Sequence, residues 1–279
     1  MKTRKFTRIL LGTVLVCAAI TFDSRYRIES RVYELYSLRL PENFDNLRVV
    51  QISDLHGMSF GDGNSKLIRA VLKAQPDIIA LTGDFIDSVG DIGDFETLIE
   101  GLKNIAPMYF VSGNHDWSSG AIKPLAQMLE RQGVTYLRNE YMELTSGGEK
   151  IILCGVEDPN GFADNIKPDA LIEKLRREYP EEYVLLLGHR NYWIDKYPFL
   201  DVDTILCGHA HGGVIRLPFV GGVMGTNFEL FPDYTDGAYR SGGYNLIVSR
   251  GLGNSAPASR FLNNPHLPVI VLRRGDASR

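Results

Sequence analysis

Hydrophobic positions fall in two patterns along the chain. The first is a single uncharged, mostly apolar run over 9–22 with no 3.6-residue periodicity. The second begins at residue 47, where short runs rich in Val, Ile and Leu end in Gly, Asp, His or Asn; they cover 47–52, 78–81, 109–111, 151–153, 183–187 and 204–207. Short apolar runs bounded by turn residues predict strands buried on both faces. Helix-like segments separate the early runs, at 64–74, 94–105, 122–132 and 168–179. In the first of these Leu67, Ile68, Val71 and Leu72 share one face and Asn64 or Ser65 is the expected N-cap. Gly133 suits the residue just past the third. Strands alternating with helices predict βαβ units and parallel pairing. After residue 200 glycine becomes dense and long helices vanish, while 244–249 and 268–272 read as strands. That predicts a second, mixed or antiparallel portion. No linker, repeat or low-complexity segment interrupts 47–275, so these residues are expected to form one catalytic domain.

The amino terminus is organised differently. Lys2, Arg4, Lys5 and Arg8 precede the apolar run directly, and no acid lies among them. A bilayer-spanning helix needs about 20 apolar residues. The 14-residue run over 9–22 is short for that and matches a signal peptide or minimal signal anchor, placed here at 1–25. Cys17-Ala18-Ala19 offers small residues but no clean cleavage site. The expectation is an uncleaved anchor with its basic end cytoplasmic and the catalytic domain beyond the membrane; the alternative is secretion after cleavage. Residues 26–46 are then a tether ending in an edge strand over 31–40.

Composition narrows the class. The chain has 279 residues with 44% hydrophobic and 23% charged, which excludes disorder, collagen-like repeats and a multi-span membrane protein. A net charge of −4 offers no basic excess for nucleic acid. Cys17, Cys154 and Cys207 are too scattered for a disulfide framework, and the latter two lie in apolar runs as core residues.

The chemistry lies at the ends of the apolar runs, where open α/β sheets build their sites. Five segments stand there: Asp54-Leu55-His56, Gly83-Asp84-Phe85-Ile86-Asp87, Gly113-Asn114-His115-Asp116, Gly188-His189 and Gly208-His209-Ala210-His211. They contain five of the six histidines, all but His266. One such motif is weak; five in series are not. Imidazole with carboxylate suits Zn, Mn, Fe or Co rather than Ca or Mg. Asp54, His56, Asp84, Asn114, His189, His209 and His211 are more donors than one four-coordinate ion uses. They fit two divalent ions sharing a carboxylate. Two ions about 3.5–4 Å apart clamp an in-line displacement at phosphorus and bring a bridging water's pKa near neutrality, so that hydroxide is the nucleophile.

In order and character the five segments resemble the calcineurin-like metallophosphoesterase superfamily, over roughly 47–275. The resemblance implies an α/β sandwich of two mixed β-sheets flanked by helices, here preceded by the short apolar helix. It places Asp54, His56 and His211 on one metal, Asn114, His189 and His209 on the other, and Asp84 between them. It makes His115 the general acid that protonates the leaving oxygen, with Asp116 orienting or tuning it. The apolar amino terminus, Val49-Val50-Gln51-Ile52-Ser53-Asp54-Leu55-His56 and Arg250-Gly251-Leu252-Gly253-Asn254-Ser255 resemble a bacterial membrane-associated subgroup, and that implies a lipid-linked or pyrophosphate envelope substrate.

Other residues admit two readings each. Asp87 is either an acceptor behind a ligand histidine or a cap of the next turn. Arg190 either holds a phosphate oxygen or is a solvated loop residue. Tyr192 and Trp193 either wall the substrate or pack inward. Arg250 and Arg260 lie in a late glycine-rich segment whose reach to the site the residues do not decide. The competing reading of the whole is a non-catalytic, membrane-tethered metal scaffold, which needs the ligands but has no use for His115.

Overall fold

Alternation explains why the strand runs are apolar without a break. In a computed structural model, which describes residues 2–161, 166–226, 228–254 and 260–276, successive strand residues face two different cores. The elements in chain order are α1 (Lys2–Tyr26), β1 (Glu29–Ser37), β2 (Arg48–Ile52), α2 (Ser65–Ala74), β3 (Ile78–Thr82), α3 (Ile92–Leu102), β4 (Met108–Val111), α4 (Asn114–Ser118), α5 (Ile122–Arg131), β5 (Thr135–Tyr136), β6 (Glu140–Ser146) and β7 (Glu149–Gly155). They continue with α6 (Pro168–Glu178), β8 (Val184–Leu187), α7 (Trp193–Lys196), β9 (Thr204–Cys207), β10 (Arg216–Leu217), β11 (Gly221–Gly222), β12 (Gly237–Ser241), β13 (Tyr244–Val248) and β14 (His266–Arg274). Val49, Ile78, Ala80, Tyr109 and Val111 point at Leu153, Leu185, Leu187, Leu206 and Ile247 of the facing sheet. Their neighbours Val50, Ile52, Ile79, Leu81 and Phe110 point the other way, into Leu67, Val71, Phe95, Leu98, Leu125 and Leu129 of α2, α3 and α5. The second sheet does the same on its outer face, with Leu171, Leu175 and Trp193 covering Ile152, Cys154, Leu186 and Cys207. The result is the expected α/β sandwich with helices on both outer faces.

Both sheets are mixed. The first runs β1-β14-β2-β3-β4-β5 and the second β12-β13-β9-β8-β7-β6. In the first, β2 to β5 are parallel and β14 is antiparallel to β2. In the second, β7, β8, β9 and β13 are parallel and the outer strands β6 and β12 are antiparallel. The parallel cores put the carboxyl ends of β2, β3, β4, β8 and β9 together, and the five motifs follow those ends.

Four expectations need correction. The late glycine-rich region is not a second portion of its own, because β13 joins the second sheet and β14 enters the first between β1 and β2. Residues 26–46 are not a tether. β1 is an edge strand paired parallel to β14, starting two residues earlier than expected, and Leu40 and Phe44 are buried in the inter-sheet core. Asn64 does not cap α2; its side-chain oxygen accepts the Phe60 N–H at 2.9 Å and closes the preceding loop. The apolar run over 9–22 is the centre of a longer helix, of which Arg4–Tyr26 is long and apolar enough to cross a membrane, exposed over 4–19 and docked on the domain at its end, where Ser24 is buried.

Candidate metal centre

The motif residues converge by way of strained turns. Asp54, His56, Asp84, His209 and His211 all have positive φ, between 47° and 69°. Non-glycine residues rarely adopt that region, and such strain concentrates at functional sites. Asp54, His56, Asp84 and His211 form one buried group of possible metal donors, and Asp84, His189 and His209 form another. Asp84 Oδ2 lies 3.1 Å from His189 Nε2 and 3.8 Å from His56 Nε2, so one carboxylate oxygen faces both groups. The Nε2 atoms of His56 and His211 are 3.2 Å apart. That is close to the roughly 3.3 Å expected for two imidazole nitrogens on one tetrahedral ion.

Unmet hydrogen-bonding capacity tests whether cations fit here. Among the described residues, Asp54 Oδ2, Asp84 Oδ2, Asn114 Oδ1, His189 Nε2 and His211 Nδ1 are buried without a hydrogen-bond partner. Buried polar atoms are ordinarily satisfied, and each orphan costs about 1–3 kcal/mol. Leaving out His211 Nδ1, whose ring already turns its Nε2 to His56, four orphans on candidate ligands are what a cation-binding shell looks like from the protein side. The remaining atoms of these rings are engaged and so fix their orientation. His189 Nδ1 lies 2.8 Å from the Thr82 carbonyl and donates to it, turning Nε2 toward Asp84. His56 Nδ1 lies 2.7 Å from Asp87 Oδ1, turning its Nε2 inward.

The electrostatics agree. Burial disfavours a charged His189, yet Asp84 beside it prevails and raises the ring to about 10. Burial would likewise raise Asp84, but His189 and then His56 hold that carboxyl well below its usual range. Burial pushes Asp54 up, and it pushes His209 and His211 well down. A pocket that charges one histidine through its carboxylates is negative enough to attract a divalent ion.

His115 stands at the rim with 34% of its side chain exposed. The expected partner Asp116 does not touch its ring. Asp116 is fully buried and accepts the backbone N–H groups of Asp84, Phe85, Ile86 and Gly113. It ties the Asp84 loop to the Asn114 loop and is structural. Burial, then Asp84, raises it to about 6. The partner of His115 is Asp87, whose Oδ1 lies 2.8 Å from Nδ1 and raises the ring above its ordinary value. One oxygen of Asp87 thus serves both His56 and His115, which settles Asp87 as an acceptor behind the histidines.

Glycines let these turns meet. A Cβ on Gly113 would fall on the Asp84 carboxylate and backbone nitrogen. We therefore expect Gly113→Ala to weaken metal binding at least about tenfold, read by competition with a chelating dye, as displacement of a ligand does. Unchanged affinity would show that the close approach is incidental.

Arg190 is neither solvated nor free. Its Nη2 donates to Asp158 Oδ1 at 3.0 Å, and its Nη1 lies 3.0 Å from His209 Nε2. Asp158 itself was not foreseen, although it follows the end of β7 just as the other motifs follow their strands. Tyr192 lines a cavity of about 420 Å³ beside His209, whereas Trp193 is buried core and packs on Gly188. The late segment does reach the site: Leu252 and Gly253 N–H donate to the Ser53 and Asp54 carbonyls. Arg250 is instead paired with Asp236 and Glu29, and Arg260 donates to backbone carbonyls behind Asp54. Ser255 lies outside the described residues. His266 is buried between Tyr33 Oη and the Arg250 N–H, away from the centre.

Residues 47–213, more than half of the chain, match the calcineurin-like phosphoesterase family, a span that contains every one of these donors. The chain belongs to that family. It is a metallophosphoesterase, and the family's dependence on two metals accords with the buried Asp/His cluster. It is 28% identical over 288 residues to the uncharacterized metallophosphoesterase YkuE of Bacillus subtilis, covering 98% of both chains. It is 27% identical to the phosphodiesterase YaeI of Escherichia coli, covering 90% of this chain and 92% of that one. A transmembrane protein with a metallophosphoesterase domain from Danio rerio is 25% identical, covering 85% of this chain and 55% of the relative. Among solved structures, the NAD nucleotidase of Haemophilus influenzae superposes with a TM-score of 0.51 at 15% identity, over 76% of this chain and 46% of that one, which is a likeness of fold. This phosphoesterase therefore combines the family's centre with an apolar amino-terminal helix.

Proposed function

We propose that the chain hydrolyses a phosphodiester, phosphomonoester or pyrophosphate with two divalent ions, Mn, Zn, Fe or Co, one held by Asp54, His56, His211 and Asp84 and the other by Asp84, Asn114, His189 and His209. The observation that carries this reading is the set of orphaned buried donors gathered about Asp84. The ions supply Lewis-acid charge for the phosphoryl oxygens and a nucleophilic water. The protein's own residues do the rest. Thr82 and Asp87 orient the ligand rings, Asp116 holds the two loops together, and His115 at the rim gives its proton to the leaving oxygen. Asp87 is the positioning residue for His115. Arg190, held by Asp158, sits between His209 and the cavity and takes a phosphate oxygen there. A metal scaffold without turnover would have no use for a histidine held by a carboxylate at the open edge of the centre.

The apolar helix and the transmembrane-named relative support a membrane anchor; Lys2, Arg4, Lys5 and Arg8 before it favour a catalytic domain outside the cytoplasm, and with it a lipid-linked substrate. The deciding experiment uses the purified full chain. Metal analysis should find about two ions, and a panel of bis(p-nitrophenyl) phosphate, p-nitrophenyl phosphate, a nucleoside diphosphate ester and a lipid pyrophosphate should show turnover with at least one metal. Two bound ions with no turnover on any member would favour the scaffold instead.

A further inference from the structure

The loop between the last candidate metal ligands and β12 carries apolar side chains that the fold leaves largely uncovered. Leu217, Phe219, Val220, Phe228, Leu230 and Phe231 are all exposed, Phe219 completely and Phe228 to 73%. A soluble surface rarely gathers so many large apolar groups in so short a stretch, and such patches mark contact with a partner or a bilayer. Three further observations say which.

The first is where the loop is rooted. Asp236 at its end pairs with Arg216 at its start and with Arg250, both at 3.2 Å, and approaches Arg31 of β1 at 3.8 Å. Arg250 also holds Glu29, the first residue of β1, at 2.9 Å. Glu29 comes three residues after Tyr26, the end of the apolar helix α1. Asn264 ties the same corner to the helix, donating to the Asp23 carbonyl at 2.9 Å. The base of the loop and the exit of the helix are thus one polar network. If α1 lies in a bilayer, too little chain separates it from the domain for the loop to stand far from the membrane surface.

The second is charge. Arg25, Arg27 and Arg31, at or just after the end of the helix, are all exposed; Arg27 is paired with Asp23 and Arg31 lies 3.8 Å from Asp236, while Arg25 has no ion pair among the described residues. Basic side chains in that position suit anionic headgroups. The third is what the loop encloses. Leu230, Phe231 and Thr235 form one wall of the cavity whose other lining includes His209, Arg190 and Tyr192. The cavity joins the metal centre on one side to the apolar loop on the other.

We infer that the loop carrying Leu217, Phe219, Val220, Phe228, Leu230 and Phe231 seats on the bilayer, and that the cavity behind it takes amphipathic phosphoesters, with the phosphate at His209 and the apolar tail left in the lipid. The substrate part of this inference rests on the hydrolase reading above; the seating of the loop does not. Apolar side chains at the headgroup boundary are a recognised mode of interfacial attachment.

The test uses the full chain in vesicles of phosphatidylethanolamine and phosphatidylglycerol. Cys17→Ser leaves two buried native cysteines. In that background Phe219→Cys carries an NBD label, and Lys103→Cys, an exposed site on the first sheet's outer helical layer, carries it as control. The label at 219 should shift to the blue and be quenched at least twofold by nitroxide lipids, and the label at 103 should not. Equal behaviour at the two sites overturns the seating, as does self-association of the chain that quenches the label without nitroxide lipid. The second arm is the triple variant Phe219→Ser, Val220→Ser, Phe228→Ser. Its kcat/KM should stay within about twofold on soluble bis(p-nitrophenyl) phosphate and fall at least about tenfold on hexadecyl p-nitrophenyl phosphate carried in the vesicles, a loss of one decade being 1.4 kcal/mol. Equal rates on the vesicle substrate, or an equal fall on both, overturn the role in presenting substrate. Should the parent chain hydrolyse neither ester, the diesterase form of the hydrolase reading fails, and with it the role in presenting substrate, while the label still decides the seating.

Discussion

Asp84→Ala should lower kcat/KM on any phosphoester by at least about 10³-fold, roughly 4 kcal/mol of transition-state stabilisation, and bound metal should fall from about two ions to less than one. Among the described residues, Asp84 alone belongs to both donor groups. Its Oδ2 faces both, and its Oδ1 accepts the His115 N–H at 2.7 Å. Removing it therefore breaks the join between the two sites and loosens the turn that carries His115. Loss of folding is a competing cause, and thermal unfolding separates the two. A ligand that binds only the folded state stabilises it in proportion to its affinity. Added metal should raise the melting temperature of the parent chain and leave that of the variant unchanged. Without metal the variant should already be less stable than the parent chain, because His189 holds the Asp84 carboxyl below its usual range and its loss leaves that buried ring unpaired, so the response to added metal, not the starting stability, is the readout. Chelation of the parent chain should reproduce the variant's loss of rate. A variant that keeps both ions and its rate would falsify the shared-carboxylate assignment.

How much of this was legible in the residues follows from geometry. A strand buried on both faces must be apolar throughout, so the central strands stand out as runs and the polar residues just past them are visible as a set. That exposes Asp54, His56, Asp84, Asn114, His189, His209 and His211 together. Strands at the sheet edges are different. β6 has only exposed and partly exposed positions, begins with Glu140 and carries Glu143, and so leaves no apolar run to find. β1 pairs with β14 across more than two hundred residues, and nothing local in 29–37 announces that partner. Direction of side chains was equally hidden. Asp116 is adjacent to His115 in sequence, but both sit on the first turn of α4, where neighbouring residues point apart. The carboxylate that meets the ring comes from a different turn, at Asp87. The Arg190–Asp158 pair likewise joins two strand ends that are neighbours only once β7 and β8 are parallel.

His115→Ala should lower kcat by about 10²–10⁴-fold on substrates with poor leaving groups while leaving both metal ions bound, since positioned acid–base groups contribute on that scale. The ring lies outside the two buried donor groups that share Asp84 and belongs only to a third, more open one with His56 and Asp87; its Nδ1 is committed to Asp87 at 2.8 Å, and its edge is open to solvent. It can therefore be removed without dismantling the centre, in contrast to Asp84. The leaving group is the sharper readout. A p-nitrophenolate leaves as a stable anion and needs little help from a proton, so the loss on p-nitrophenyl esters should be small and should grow as the leaving alcohol becomes more basic. A loss of equal size for every leaving group would mean that His115 serves some other purpose, such as holding the phosphate. Asp87→Asn should show the same dependence on leaving group at smaller amplitude, because an amide still accepts the His115 N–H through its oxygen but no longer stabilises the charged ring. The same substitution also touches His56 at 2.7 Å, so a fall in metal affinity is expected alongside it, and the leaving-group slope measured at saturating metal isolates the part that acts through His115.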